Sequence, residues 1–371
     1  MSLVDLYRGR RVLVTGHTGF KGAWLSHWLL ELGASVTGCA LPPSSTPAIF
    51  ETLGLSSRLS HHVLDIQNLE ALRKLVAQVK PEMVFHLAGQ ALVRLSYDDP
   101  VETFSTNAMG TMNVLEAVKH TPSVKVVLVI TSDKCYENRG WPYGYREVDQ
   151  LGGRDPYSAS KACAELICKS YAASYFVGDN SPCLTTARAG NVVGGGDWSV
   201  DRLIPDCVRA WSNGDSVLIR NPDSYRPWQH VVEPLAGYLW LGALAAKNRT
   251  SLHGQAFNFG PSASAKNHTA LNVVGKLSDY WGKGRWHIAE QNDRQKQEAS
   301  ILRLNCDKAL SLLEWEATLD FDKALQLTVD WYQQFYQGHS DMAAYTTQQI
   351  DFYQGTACSN EQRWASELGD D

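Results

Sequence analysis

The chain has 371 residues, of which 44% are hydrophobic and 20% charged, and its formal net charge is −5 at pH 7. This composition excludes a largely disordered chain and provides enough apolar surface for one large domain with a smaller lobe. The slight acidic excess argues against a broad nucleic-acid-binding face, which is usually basic.

The eight cysteines are scattered, with no C-x-x-C pair and no histidine at zinc-finger spacing. This pattern indicates free thiols in a reducing compartment, the cytoplasm, and no structural metal. The polar N-terminus lacks the apolar core of a signal peptide. The longest apolar stretch, around 238–246, is about half of what a bilayer span requires. We therefore expect neither secretion nor a membrane anchor.

In chain order, short apolar runs alternate with amphipathic segments through the first half of the sequence. The apolar runs predict strands at 11–15, 35–40, 62–66, 83–88, 124–132 and 183–188. The amphipathic segments predict helices at 21–32, 68–79, 101–119 and 159–176. This alternation predicts an α/β fold with a doubly wound, Rossmann-type parallel sheet covered by helices on both faces.

Beyond Asn191 the pattern loosens into loops rich in glycine, proline, tryptophan and arginine, such as "NVVGGGDWS" and "NPDSYRPWQHVVE". Ligands of open α/β sheets bind outside the carboxyl ends of the strands, where such loops collect. We interpret residues 1–190 as a nucleotide-binding domain that also carries the catalytic residues. Residues 191–371 are interpreted mostly as a smaller substrate-binding lobe, with some segments returning to the sheet.

The first predicted strand leads into "TGHTGFKG", which places Gly16, Gly19 and Gly22 ahead of a helix. Glycines at this spacing allow a tight turn and a close approach of a pyrophosphate to the helix N-terminus. The triad alone also fits an ordinary strand-to-helix turn, but its place at the start of a βαβ unit favours a nucleotide. The second strand ends in "GCALPPSS", without an acidic or basic residue. NAD and NADP therefore both stay open, although the lack of a basic residue favours NAD.

Two polar groups carry the candidate chemistry. Tyr157 and Lys161 in "DPYSASKACAE" are four residues apart, on one face of a helix. A neighbouring ammonium favours the phenolate and lowers a phenol's pKa, so that Tyr157 could take a proton from a substrate hydroxyl. Y-x-x-x-K is common by chance, but "VVLVITSDKCYEN" also places Ser132, Asp133 and Lys134 at the carboxyl end of a strand, facing the crevice.

Six segments together resemble the extended short-chain dehydrogenases/reductases, and more narrowly the CDP-glucose 4,6-dehydratases. They are "VLVTGHTGFKG", "HLAGQALVRLSY", "ITSDKCYEN", "PYSASKACAE", "ARAGNVVGGGDWS" and "RPWQHVVE". The resemblance extends from about Arg11 to at least Leu235. The glycine and Y-x-x-x-K motifs are typical of the superfamily, whereas "TSDK" and "RPWQHV" are the narrower signals.

The resemblance implies an NAD-dependent dehydration of CDP-glucose to CDP-4-dehydro-6-deoxy-D-glucose, in deoxysugar synthesis for lipopolysaccharide. C4 is oxidised, water leaves across C5 and C6, and hydride returns to C6. Ser132, Tyr157 and Lys161 become the oxidation triad, while Asp133 and Lys134 serve the elimination. Related dTDP-glucose dehydratases carry Asp and Glu where this chain has Asp133 and Lys134. A lysine amine is mostly protonated at neutral pH, so Lys134 is either the C5 base or a stabiliser of the enolate.

The resemblance also implies binding residues. Those expected near the cofactor pyrophosphate are Gly16, Thr18, Gly19, Phe20, Lys21 and Gly22; those near adenine are Asp65 and Ile66; those near the ribose are Ala88 and Gln90, with Asn107 further along. Independently of the resemblance, guanidinium groups match phosphate geometry, which makes Arg209, Arg220 and Arg226 candidate partners of the sugar nucleotide's diphosphate. Arg188 at a strand end, Asn191 through its amide, and His230 in the loop after Arg226 are further candidates at the nucleotide sugar. Helices 101–119 and 159–176 are expected to pair across a two-fold axis, giving a homodimer or homotetramer.

Two other functions remain open at this point. A nucleotide-sugar 4-epimerase, or a dehydratase for another nucleotide sugar, would share the fold, the cofactor and the Tyr157/Lys161 pair. An epimerase has no use for the Asp133/Lys134 pair, which argues against it. A non-catalytic nucleotide-sensing protein would keep the crevice for binding alone, but it would have no need of a phenolate.

Overall fold

The computed structural model describes residues 2–262, 265, 268–282, 284–289 and 302–366. The strands in this part of the chain are β1 (Arg11–Thr15), β2 (Ser35–Ala40), β3 (Ser60–Val63), β4 (Met83–His86), β5 (Val126–Ile130), β6 (Cys183–Ala189), β7 (Val192–Val193), β8 (Ser216–Ile219), β9 (Tyr225–Arg226), β10 (Gln229–His230), β11 (Ala256–Phe259), β12 (His268–Thr269) and β13 (Arg285–Ile288).

The α-helices in the described residues are α1 (Leu3–Tyr7), α2 (Phe20–Glu31), α3 (Ile49–Thr52), α4 (Leu69–Val79), α5 (Val93–Asp98), α6 (Pro100–Phe104), α7 (Gly110–Val118), α8 (Pro156–Ser174), α9 (Leu203–Ser212), α10 (Val232–Lys247), α11 (Arg249–Leu252), α12 (Ala270–Trp281), α13 (Asp307–Leu313), α14 (Phe321–Tyr336) and α15 (Met342–Ser359). Leu55–Ser57 and Asp133–Cys135 form 3₁₀ turns, and Ser105–Met109 is π-helical.

The main sheet has seven strands in the order β11-β6-β5-β4-β1-β2-β3, and all neighbours in it are parallel. Strands β4, β5 and β6 are buried along their whole length because helices cover both faces. The predicted Rossmann-type fold is therefore confirmed. Strand order reverses between β1 and β4, where Thr15 pairs with His86. A doubly wound sheet opens its ligand crevice at such a point.

Most predicted elements are within two residues of the observed ones at each end, and three of the differences bear on the site. The third strand was predicted at 62–66 and lies at Ser60–Val63, so that Asp65 falls in the loop after it. The single helix predicted at 101–119 is divided into α6, the π-helical turn and α7. Helix α8 begins three residues earlier than predicted, because Asp155 caps it by accepting a hydrogen bond from Ser158 N (2.8 Å).

In the described residues, segments after residue 190 form three small sheets, which with the helices packed on them are called the second lobe below, and other segments return to the main sheet. The pairs β7/β10, β8/β13 and β9/β12 form small separate sheets. In contrast, β11 pairs with β6 at the edge of the main sheet, and α10 packs against β5 and β6. The described residues contain no helix long and apolar enough to cross a membrane.

Helices α14 and α15 form a buried hairpin that packs against α2. Glu233, at the start of α10, anchors this hairpin: its carboxylate accepts hydrogen bonds from Thr318 N (2.9 Å), Leu319 N (2.5 Å) and Tyr353 Oη (2.8 Å). Burial raises the pKa of Glu233 to about 7, and the three hydrogen bonds oppose this rise. The carboxyl is therefore more easily protonated in the folded protein than in the unfolded chain.

We expect Glu233→Gln to remove a pH-dependent part of the stability. Because the folded pKa is raised, the wild-type contribution is fully present below the unfolded pKa, about 4.5, and is lost as the pH rises to about 7. The shift corresponds to roughly 3 kcal/mol. In urea unfolding, the variant should therefore be more stable than the wild type at pH 8 and lose this advantage at pH 5. A constant difference between the two pH values would contradict the assignment.

Candidate active site

Two of the three glycines in the first turn, Gly16 and Gly22, meet a steric demand, whereas Gly19 does not. Gly16 has φ +77°, and a Cβ there would lie 2.6 Å from Ala88 N. A Cβ at Gly22 would lie 2.0 Å from the carbonyl oxygen of Gly16, so the turn packs directly on α2. Gly19 caps α2, and a Cβ there would meet only the Gly16 oxygen, at 3.4 Å. The helix N-terminus is thus open to a phosphate group.

The second part of the site is the turn after β5. Ser132 Oγ donates to Asp133 Oδ1 (3.0 Å) and accepts from Lys134 N (3.2 Å). Asp133 is 5% exposed, and burial raises its pKa, although the nearby charges of Lys134 and Arg226 oppose this shift. A carboxyl that holds its proton more tightly can act as a general acid.

Tyr157 and Lys161 project from the first turns of α8 and are both buried. Burial raises the pKa of Tyr157 to about 12, and a contact with Ser132 and the charge of Arg202 oppose this rise. Burial lowers the pKa of Lys161 to about 8. The expected lowering of the phenol's pKa is thus wrong for the protein alone. The cation that favours the phenolate is Arg202, which no motif singles out.

Lys161 and Arg202 lie close to Lys21, so that three cations lie near Tyr157. Burial and the charges of Lys161 and Arg202 lower the pKa of Lys21 to about 8, while Asp133 opposes the shift. Arg202 Nη1 lies 2.7 Å from Oδ2 of the buried Asp197, which holds the guanidinium in place. Close like charges of this kind suit a diphosphate, which would relieve their repulsion.

Asn107 lies in the π-helical turn, a device frequent at functional sites. Its Nδ2 donates to the carbonyl of Gln90 (3.0 Å) and to Ser160 Oγ (2.9 Å). Its Oδ1 is buried and has no hydrogen-bond partner in the described part of the chain. A Cβ at Gly89 would lie 2.8 Å from this oxygen and 3.1 Å from Lys161 Nζ. Gly89 was not singled out from the sequence, although its place just after β4 could have suggested it.

Other residues predicted for the cofactor lie around the same crevice. Thr18 Oγ1 donates to the Leu41 carbonyl (2.9 Å), and Phe20 begins α2. Asp65 Oδ1 accepts from Gln67 N (2.9 Å) in the loop after β3.

The side chains of Ile66 and Gln90 make contacts with other parts of the protein. Ile66 is buried against Gly110 at the start of α7. The Gln90 side chain donates to Thr103 Oγ1 (3.0 Å) and so turns toward α6. The backbone of Gln90, rather than its side chain, takes part in the Asn107 arrangement.

Two residues predicted for the nucleotide sugar are buried within the fold, Arg188 in an ion pair and His230 with an Nε2 that lacks a hydrogen-bond partner among the described residues. Arg188 is buried and bonded to Glu165 at two points. His230 is fully buried against the ring of Trp24 (5.9 Å), and burial lowers its pKa to about 3. The residues that bury both side chains lie far from them in sequence. The local motifs therefore gave no sign of this burial.

The remaining predicted residues lie on the second lobe. Arg209 Nη1 donates to the Trp198 carbonyl (2.7 Å), and Arg220 lies 3.4 Å from Asp201. Arg226 is near enough to Asp133 to lower its pKa. The Asn191 carbonyl accepts from Gln229 N (3.1 Å) and thereby joins β7 to β10.

All eight cysteines are free. The described residues contain no group of three or more histidine, cysteine, aspartate or glutamate side chains that could hold a metal ion.

Residues 13–328 match the GDP-mannose 4,6 dehydratase family, and the chain belongs to that family. It is 45% identical over 355 residues to the CDP-glucose 4,6-dehydratase of Salmonella typhimurium, an alignment that covers 94% of this chain and 97% of the relative. It is 25% identical over 339 residues to the dTDP-glucose 4,6-dehydratase of Xanthomonas campestris, covering 86% and 92% of the two chains. The resemblance of the motifs is confirmed.

Solved structures agree on the fold. DesIV, a dTDP-glucose 4,6-dehydratase of Streptomyces venezuelae crystallised with NAD and DAU bound, superposes with a TM-score of 0.72 at 20% identity, covering 87% of this chain and 97% of DesIV. The epimerase Mth375 of Methanothermobacter thermautotrophicus gives a TM-score of 0.78 at 23% identity, covering 90% and 96%. At this level of identity the two structures support the fold alone.

We expect Gly22→Ala to weaken cofactor binding. Its Cβ would lie 2.0 Å from the Gly16 carbonyl, so the turn and α2 would have to separate. Overpacking of this kind costs about 1–3 kcal/mol, which, if it falls on the cofactor-bound state, corresponds to a loss of NAD⁺ affinity of about 5-fold to about 150-fold. Isothermal titration calorimetry with NAD⁺ measures the affinity of the variant and of the wild type.

The matched control for Gly22→Ala is Gly275→Ala, in α12. No atom lies within 4 Å of a Cβ at Gly275. Alanine there should leave NAD⁺ affinity unchanged and stabilise the helix by up to about 1 kcal/mol. Equal NAD⁺ affinity in the two variants would contradict the role given to Gly22.

Proposed function

We propose that this chain dehydrates CDP-glucose to CDP-4-dehydro-6-deoxy-D-glucose with NAD as a recycled cofactor. The observation that carries the proposal is the joining of two chemical groups at one sheet edge: Ser132 and Tyr157 in contact, and Asp133 with Lys134 on the same turn. The similarity to the Salmonella CDP-glucose 4,6-dehydratase supports the choice of cytidine. We place the reaction in the cytoplasm, in deoxysugar synthesis for lipopolysaccharide.

The residues present fit NAD. The glycine turn leaves the N-terminus of α2 open, Lys21 lies beside it, and the buried Asn107 Oδ1 has no partner among the described residues. When bound, the cofactor supplies reversible two-electron redox chemistry, so that C4 can be oxidised first and C6 reduced last. Gly16, Gly19, Gly22 and Lys21 would hold its pyrophosphate, and Asn107 and Lys161 its nicotinamide half.

The first proton transfer belongs to Tyr157. Its phenolate takes the proton of the C4 hydroxyl, and Ser132 hydrogen-bonds the same oxygen. Arg202 favours the phenolate against the opposing effect of burial. The C4 ketone formed in this way acidifies the hydrogen on C5.

The elimination belongs to the turn after β5. Lys134 accepts the C5 proton, and the buried carboxyl of Asp133, with its raised pKa, gives a proton to the departing C6 hydroxyl. Water leaves, a C5–C6 double bond remains, and a proton returns to C5 when C6 is reduced. Arg209, Arg220, Arg226 and Asn191 are the proposed contacts of the nucleotide sugar.

A 4-epimerase is the second candidate, since a UDP-glucose 4-epimerase of Mycoplasma pneumoniae is 23% identical over 341 residues. An epimerase oxidises and reduces C4 without removing water. The buried Asp133 beside Lys134 has no task in that reaction. This pair therefore favours the dehydratase.

We further propose that the protein is a homodimer or a dimer of dimers. Apolar side chains are exposed along the outer helices of one sheet face: Leu95 and Tyr97 on α5, Val101 on α6 and Leu166 on α8. These helices contact one another, and exposed apolar side chains on neighbouring helices suit a two-fold interface. Val101→Glu should shift sedimentation toward the monomer, whereas Leu312→Glu on α13 should not. A wild-type monomer would overturn the proposal.

The experiment that tests the function is mass spectrometry of the protein incubated with NAD⁺ and, in parallel, with CDP-, dTDP-, UDP- and GDP-glucose. Loss of one water from CDP-glucose alone, without net NADH, is the expected result. Loss from another sugar nucleotide would correct the substrate. An unchanged mass with all four would overturn the dehydratase, and NMR of the recovered sugars would then reveal an epimerase.

A further inference from the structure

A buried ion pair lies directly behind the catalytic turn. Glu165 and Arg188 are 4% and 3% exposed. Arg188 Nε donates to Glu165 Oε1 (2.9 Å), and Arg188 Nη2 donates to Oε2 (2.8 Å). Burying two charges is costly, and such a pair contributes little net stability compared with apolar side chains of the same size. Its place in the fold therefore calls for a reason other than stability.

Glu165 ties the helix of the catalytic tyrosine to the end of β5. Tyr157, Lys161 and Glu165 follow each other at four-residue spacing on α8, and therefore share one face of the helix. The Glu165 carboxylate also accepts a hydrogen bond from Thr131 Oγ1 (2.5 Å). Thr131 immediately precedes Ser132, so this bond spans the gap between the helix and the start of the catalytic turn.

Arg188 ties the other end of the same turn. Its Nη1 donates to Tyr136 Oη (2.7 Å), which in turn donates to Asn258 Oδ1 on β11 (2.8 Å). Tyr136 immediately follows the Asp133–Cys135 turn. Both ends of the catalytic turn are thus bonded to one ion pair.

We propose that Glu165 and Arg188 are positioning residues, which hold the turn of Ser132, Asp133 and Lys134 in register with Tyr157 and Lys161. The catalytic consequence rests on the proposed function. C4 of the bound sugar must lie at Tyr157, and C5 of the same sugar must lie at Lys134, without the sugar dissociating between the two steps. A displacement of about 1 Å costs on the order of 10²-fold in rate.

Thr131→Val is the sharpest test, because it removes one hydroxyl of the linkage and leaves the ion pair intact. We expect kcat for CDP-glucose to fall about tenfold, since partial misplacement loses part of the benefit of orientation, with KM nearly unchanged. Thr131→Ser keeps the hydroxyl and should restore kcat. Failure of serine to restore kcat would assign the loss to the packing of the threonine methyl group and contradict the role of the hydroxyl linkage.

Glu165→Gln breaks the pair itself, and we expect a fall in kcat of about 10²-fold. Removing one partner also leaves Arg188 as an uncompensated buried charge. The double variant Glu165→Gln with Arg188→Met should therefore regain resistance to urea but not kcat. Recovery of both together would assign the pair a role in stability alone and overturn the proposal.

Hydrogen exchange of the backbone amides at 132–136 tests the positioning without any substrate. Exchange there should accelerate in Thr131→Val and Glu165→Gln. It should stay at the wild-type rate in Glu233→Gln, which alters a buried carboxylate elsewhere in the fold. Unchanged exchange in the first two variants, or equal acceleration in all three, would overturn the proposal. If the wild type did not act on CDP-glucose, the proposed function would fail while the exchange rates still decided the positioning.

Discussion

Lys134→Met is expected to abolish uptake of solvent deuterium at C5 while a single turnover still oxidises C4. Lys134 is half-buried and belongs to the turn that also carries Ser132 and Asp133. The oxidation triad stays intact in the variant, so reduced nicotinamide should still form and then accumulate. Loss of a general base costs about 10²–10⁴-fold, and we expect overall turnover to fall by this factor. Stopped-flow absorbance and mass spectrometry in heavy water measure the two steps.

Lys134→Arg distinguishes a role of Lys134 as general base from a role as a fixed positive charge. A guanidinium keeps the positive charge but stays protonated, so it cannot accept the C5 proton. If Lys134 is the base, arginine should fail as methionine does. If arginine retained deuterium uptake, Lys134 would instead stabilise the enolate by its charge. Uptake at the wild-type rate in Lys134→Met would exclude both roles.

Most of the sheet could be predicted from the sequence, because strands buried on both faces are continuous apolar runs. The elements that differ depend on contacts between distant residues. The helix predicted at 101–119 contains a π-helical turn in which Asn107 bonds Ser160, 53 residues away. The sequence pattern of 101–119 alone cannot predict a contact with a residue outside that segment.

The site divides in the same way. Tyr157, Lys161 and the 132–134 turn could be located because each belongs to a short motif on one element. Arg188 was expected at the nucleotide sugar, since an arginine at a strand end suits an anion. Its actual partner, Glu165, lies 23 residues earlier on another element. Nothing in the spacing of the two residues predicts a salt bridge.

Arg202 was missed for a related reason: it follows a loop and precedes α9, and belongs to no motif. Its position beside Tyr157 arises only when the second lobe packs over the sheet. Asp197 fixes the guanidinium, and Tyr332 Oη in turn donates to the Asp197 carbonyl (2.5 Å). The C-terminal helices therefore contribute to the electrostatics of the crevice, although they lie far from it in sequence.

Two variants test this electrostatic arrangement. Tyr157→Phe removes the base, and we expect C4 oxidation in a single turnover to slow by about 10³-fold. Arg202→Gln keeps the base but removes a charge that lowers its pKa. Because the phenolate is the active form, a higher pKa leaves less of it at a given pH. The rise of the oxidation rate with pH should therefore move to higher pH in Arg202→Gln.

The test depends on the midpoint pH of the oxidation rate and not on the size of the rate. Loss of substrate affinity in Arg202→Gln would lower the rate at every pH and leave the midpoint where it was. Arg10→Gln removes an arginine that pairs with Glu82 at the surface and should leave the midpoint unchanged. A midpoint in Arg202→Gln equal to that of Arg10→Gln would mean that Tyr157 does not respond to this charge. The phenolate would then depend on the bound cofactor and Lys161, as the Y-x-x-x-K motif first predicted.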